Sequence, residues 1–358
     1  MLSRLYDRLP PTWSVTALFL GLTLPQAMLG LPVAAAAIGP APSLAILAVI
    51  GALMTVAAAA EAEALVRDSE VRREGTFFGR VVQRYLGAAA TFAPNLLAAL
   101  RTGLSLLGAY IGFSVTLATL TGAPRVAWGL LAFASLAALL LRGGLRIPSA
   151  IGATLGLLAL PPLAAIAIVA ALHGGGDVGA ARDVDATAVG GVVGLVLMLY
   201  ISNVYVVAVA RETLPRDPGG RALVRGSALG AALLTLIAAA WLLATSAALR
   251  PEDLRGEVGT VLGPLSDEIG ASVAVLGSLL IVLLLGLGLE RTGVAVMRLA
   301  SERLSGRARP LGPLAPLAVC GLGEALLSAG AVSFTDVFAV AGMATNALLA
   351  LAVPMLLL

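Results

Sequence analysis

Apolar stretches of about twenty residues follow one another along almost the whole chain. That is the length a helix needs to cross a hydrocarbon core about 30 Å thick. Ten such runs are legible, near 13–38, 43–65, 87–120, 125–141, 148–172, 189–210, 223–249, 270–297, 314–331 and 333–358. The composition agrees, with 59% hydrophobic and only 12% charged residues and a mean hydropathy of +1.00. Soluble domains run nearer to half apolar and about a quarter charged. Ala, Leu and Gly dominate while aromatic residues make up 4%, which favours helical spans over the alternating strands of a barrel. The fold class predicted is therefore all-α integral membrane. The first run is read as a span rather than a signal peptide, because no small-residue cleavage motif follows it. The single cysteine, Cys320, cannot form an intrachain disulfide.

All 23 basic residues are arginine. They lie between apolar runs rather than along one face, so a lipid bilayer, not nucleic acid, is the expected partner. With the N-terminus inside, 18 arginines fall in cytoplasmic segments, Arg291 and Arg298 among them. The outside loops hold Arg125, Arg182, Arg250 and Arg255, and Arg101 falls inside the third run. This asymmetry predicts ten transmembrane helices in the plasma (inner) membrane, with both termini cytoplasmic. The order of span lengths also repeats, at an offset of about 176 to 189 residues. Five is odd, so the second five enter with opposite orientation. Residues 1–172 (spans 1–5) and 189–358 (spans 6–10) thus read as a 5+5 inverted repeat within one transporter domain, 1–358. Secondary transporters of that kind bind substrate where the two first helices break. The leading MLSRLYDRLP reads as a short interfacial helix.

TLPQAMLGLP (Thr23–Pro32) interrupts the first run with two prolines, a glutamine and a glycine. Proline removes a backbone donor, and backbone groups freed at membrane depth need protein or a water-filled cavity to satisfy them. Pro25, Gln26, Ala27, Met28, Leu29 and Gly30 are therefore candidate substrate contacts, with an ordinary proline kink as the alternative. The sixth run has neither Gly nor Pro at its centre but packs Tyr200, Ser202, Asn203 and Tyr205 together. Such polar groups need partners, either a substrate or neighbouring helices. Tyr110 of the third run is a candidate wall of the site. For ion coupling the candidates are Arg101 and Glu290, ionisable within spans, with Ser272 and Ser278 as weak sodium ligands. GLGLERTG (Gly286–Gly293) lacks the strand a dinucleotide fingerprint needs. His173 is the only histidine, and neither a Walker loop nor a Ser/His/Asp set is visible. No enzyme, metal site or ATP-driven pump is expected.

With those residues in hand, the chain resembles the amino acid/polyamine/organocation (APC) superfamily, most closely its amino acid/auxin and aromatic amino acid permease branch. Leu31 and Pro32 match the Leu-Pro that follows the family's first-helix break, although Pro25 and Ala27 stand where small glycines are usual. RALVRGSALGAALLTLIAAAWLL (Arg221–Leu243) is similar to the basic loop and seventh span, and Ser333–Leu358 to the tenth, with Phe338, Gly342 and Pro354 in its pattern. The resemblance implies a leucine-transporter-type fold. It also implies alternating-access symport of an amino acid or related small amine, driven by a coupling proton or sodium ion without other cofactors. The family's substrate positions fall at Pro25–Gly30 and Tyr200–Asn203, and Tyr110 is carried over with them. A ligand sensor on the same fold is the alternative, since the chain also resembles spore germination receptor B subunits in length and span count. A Nramp-type metal carrier fits less well, because its Asp-Pro-Gly-Asn and Met-Pro-His breaks are missing. Substrate identity and oligomeric state are not legible in the sequence.

Overall fold

The computed structural model describes residues 9–24, 26–67, 87, 92–141, 149–176, 186–200, 202–303 and 311–352. Among them all regular structure is helical, and no strand occurs. Five helices are long and apolar enough to cross a membrane: Pro40–Arg67, Phe92–Thr121, Ile151–His173, Arg221–Ala248 and Ala271–Ser301. These agree with the second, third, fifth, seventh and eighth apolar runs. Shorter apolar helices fill the others, including Arg125–Leu141, Leu314–Ser328 and Phe334–Leu349.

The first and sixth runs fall below that length because each is broken. The first comprises α1 (Pro11–Thr23), a 3-10 turn over Gln26–Leu29, and α2 (Leu31–Ala35). The sixth comprises α8 (Ala186–Met198) and α9 (Ser202–Thr213). Between them lie α3 (Pro40–Arg67), α4 (Phe92–Thr121), α5 (Arg125–Leu141), α6 (Ser149–Leu157) and α7 (Leu160–His173). After them come α10 (Arg221–Ala248), the short α11 (Leu262–Ile269) and α12 (Ala271–Ile281), which passes through a π turn into α13 (Leu287–Arg303). The chain continues as α14 (Leu314–Ser328) and α15 (Phe334–Ala341), followed by a π-helical stretch Gly342–Ala352.

On α3 large apolar side chains reach the surface as well as the core, where Leu47, Met54 and Leu65 are buried. Val49, Leu53 and Val56 form an exposed apolar stripe on α3, while the small Gly51, Ala57, Ala58 and Ala62 are buried. Large apolar side chains facing out and small ones facing in suit a lipid environment, where helices associate through close backbone approach. α10 packs along both α1 and α3, and α4 meets α5, α13, α14 and α15. The broken segments are seated by two backbone-to-backbone contacts. A Cβ on Gly21 of α1 would strike the Ala153 carbonyl of α6, and one on Gly156 would strike the Gly21 carbonyl. In the same way, Gly194 of α8 lies on the Ala339 carbonyl, and Gly342 on the Gly194 carbonyl. No larger residue fits at these four positions without moving a helix.

On α8 this gives a matched pair of substitutions. Gly194→Val should cost about 1–3 kcal/mol through overpacking. Gly190→Val should cost less, because nothing lies within 4 Å of a Cβ there. Thermal unfolding of the two purified variants in detergent checks this, and equal melting temperatures would contradict the packing.

Candidate functional site

α1 ends at Thr23 because Leu24 leaves the helical region, with φ −48° and ψ 111°. Pro32 sits in the first turn of α2, where its missing N–H costs nothing. The break thereby frees carbonyls on both of its sides. On the α1 side, Arg291 of α13 donates from Nη1 to the Leu22 carbonyl (3.4 Å) and from Nη2 to the Gly152 carbonyl of α6 (2.5 Å). One guanidinium thus ties three helices together at the break. On the α2 side, the Val261 N–H donates to the Leu29 carbonyl at 3.1 Å.

Val261 belongs to the connection between α10 and α12. The Thr260 N–H donates to Thr116 Oγ1 (3.2 Å), and the Phe334 N–H donates to the Val258 carbonyl (2.9 Å). Thr260, Val261 and Leu262 are fully buried, so this connection plugs the α2 side of the break. Burial pushes the nearby Glu257 carboxyl above the usual carboxylate range, and Asp267 adds to the rise while the Gly259 and Val258 N–H groups oppose it. Charging Glu257 costs more in the packed position than in water, so the plug is held more firmly as pH falls through that raised pKa.

Beside the Arg291 tie lies a cavity of about 50 Å³. Its polar lining comes from Thr23, Gln26, Ser105, Arg291 and Thr292, and its apolar wall includes Met198 and Phe338. The Gln26 amide rests against Gly288, where any Cβ would collide with it. Gln26 Oε1 is buried with no hydrogen-bond partner among the described residues. The π turn Val282–Gly286 contributes Leu283 and Leu284 to the same wall, a distortion that recurs at functional sites.

The sixth-segment break is resolved differently. Asn346, fully buried in the π-helical stretch after α15, donates from Nδ2 to the Leu197 carbonyl and to the Tyr200 carbonyl (3.0 Å). Its Oδ1 accepts from Arg101 Nη1 at 3.2 Å, and Arg101 is 3% exposed. A side-chain amide inserted into the i→i−4 ladder is a recognised cause of helix breakage. It acts here with neither Gly nor Pro at the break itself, residues 199–201.

Of the residues expected at the site, Gln26 and Ala27 line the cavity. Met28 and Leu29 are fully buried in the 3-10 turn, and Gly30 leads into α2. Pro25 lies outside the described residues, as do the side chains of Ser202, Asn203 and Tyr205. Tyr200 turns its hydroxyl to Thr235 of α10 at 2.6 Å. Tyr110 donates to Glu324 Oε2 at 3.2 Å, and that carboxylate is also held by Arg125 at 2.9 Å; neither tyrosine lines the cavity. Ser278 spends its hydroxyl on the Ala274 carbonyl of its own helix, and Ser272 is exposed. Glu290 is buried, with Oε2 lacking a partner among the described residues.

Arg291 and Asn346 are absent from the residues expected at the site. Arg291, counted among the cytoplasmic arginines, sits instead within a helix, because two backbone carbonyls receive it. Asn346 carried a legible signal as the lone amide in an apolar run. Neither a protein-family model nor a curated protein matches the chain.

Truncating Asn346 to Ala removes the donor for two buried carbonyls and the acceptor for Arg101. The expected cost is about 1–3 kcal/mol, with faster amide exchange in Met198–Asn203. Unchanged stability and exchange would show that the break does not depend on Asn346.

Proposed function

We propose that this chain is a secondary transporter of the inner membrane, moving an amino acid or related small amine by alternating access in symport with a proton or sodium ion. The observation that carries the reading is the polar-lined cavity behind the broken first segment, where Gln26, Ser105 and Arg291 meet. A polar-lined cavity beside a broken first helix is the arrangement expected of a secondary transporter.

The proposed architecture is ten transmembrane helices as a 5+5 inverted repeat of the leucine-transporter type, with both termini cytoplasmic. The glycine contacts support it: Gly21 and Gly156 in the first half have counterparts in Gly194 and Gly342, offset by about 170 to 190 residues. In this orientation Arg291 lies toward the cytoplasmic side of the first-segment break and Val258–Leu262 toward the outer side. Membership of the APC superfamily belongs to the same proposal. It rests on the first-segment Leu31–Pro32 step and on the break at the family's sixth-span position.

Uptake of labelled amino acids into proteoliposomes, under imposed proton and sodium gradients in turn, tests the function. Gradient-driven accumulation of at least one substrate is expected, and no flux under either gradient would overturn the reading. Binding without flux would instead favour the sensor. Gln26→Leu should weaken ligand binding about tenfold while the protein stays folded, since a buried polar contact is lost. Unchanged affinity would move the site away from the first-segment break.

A further inference from the structure

Among the described residues, Arg291 is the only charged side chain lining the cavity, and no carboxylate lines it. Glu290, its neighbour in sequence, is not among the lining residues. A second guanidinium lies close by, because Arg101 is one helical turn from the cavity-lining Ser105 on α4. Arg291 has five N–H groups, and the Leu22 and Gly152 carbonyls engage two of them. The rest can serve a ligand. Gln26 lines the same cavity, and its buried Oε1 has no partner among the described residues. The Gln26 amide rests on Gly288, three residues before Arg291 on the same helix face, and such positions lie about 5–6 Å apart. The cavity therefore offers a cationic fork and a lone acceptor one turn apart.

We infer that the cavity takes a small acid bearing a hydrogen-bond donor beside its carboxylate, a 2-amino or 2-hydroxy acid, and rejects amines that lack a carboxylate. The inference rests on the binding site proposed above and narrows its ligand. The carboxylate pairs with Arg291, whose planar fork matches it, and the neighbouring N–H or O–H donates to Gln26 Oε1. A cavity of about 50 Å³ holds about four water-sized groups at ~10–15 Å³ each, which fits an acid of two or three carbons. A ligand with net positive charge meets the Arg291 guanidinium with no carboxylate on the lining to offset it. At about 6 Å and an effective dielectric constant near 20, that repulsion weakens binding roughly a hundredfold.

Thermal unfolding of the full chain in detergent, with matched concentrations of glycine, glycolate, ethanolamine and putrescine, tests this. Glycine and glycolate should raise the melting temperature, and ethanolamine and putrescine should leave it unchanged. Arg291→Gln should weaken the response to both acids about tenfold or more, and Arg291→Lys should retain part of it. Stabilisation by the amines equal to that by the acids, no shift with either acid, or a full response in Arg291→Gln would each overturn the inference. If Arg291→Gln fails to fold, the four ligands on the unmodified chain still decide the matter. Acid binding without gradient-driven flux leaves this inference standing while ending the transport reading. Flux of an amine does the reverse.

Discussion

Two backbone interruptions inside an apolar bundle set the terms for the rest of this structure. An unpaired carbonyl buried away from water is costly, so each break must be answered by a donor from another helix. Both answers begin at an arginine. Arg291 reaches the Leu22 carbonyl directly and joins it to Gly152. Arg101 acts through Asn346, whose amide holds the carbonyls of Leu197 and Tyr200. These contacts fix where α13 lies against α1 and where the stretch after α15 lies against α8. The glycine contacts at Gly21 and Gly194 bring the backbones close enough for them to form.

The two breaks differ in what they leave over. At the sixth segment, Asn346 holds the Leu197 and Tyr200 carbonyls within the protein. At the first, Gln26 lines a cavity while its Oε1 has no partner among the described residues, and Arg291 has donors beyond its two carbonyl bonds. The polar residues packed into the sixth segment suggested a ligand there. The partners that the structure describes for it are Asn346 and, through the Tyr200 hydroxyl, Thr235. Among the described residues, the polar groups that line the cavity with capacity to spare are Gln26 and Arg291.

Much of this was legible in the sequence for a simple reason. Apolar run length and proline position act locally, so the helical class, the helix extents and the break after Thr23 could be read residue by residue. The break after Met198 could not, because its cause is Asn346, about 150 residues away in the chain. Arg291 was misread for a similar reason. Within GLGLERTG it looks like the basic end of a span, and only folding brings the Leu22 and Gly152 carbonyls to it. Tyr110 is the opposite case: a tyrosine among small residues suggested a site wall, and its hydroxyl donates to Glu324, a partner more than 200 residues away in the chain.

The central claim is that the cavity lined by Gln26 and Arg291 opens to each side of the membrane in turn. Ser105 lines it, and the only native cysteine, Cys320, is buried. Replacing Cys320 by Ala and introducing Ser105→Cys gives a single thiol in the cavity. A membrane-impermeant thiol reagent, applied separately to the two faces of sealed vesicles, then measures access. Labelling from both faces, slowed by saturating ligand, is the expected result. Labelling from one face alone, or from neither, would contradict alternating access through this cavity.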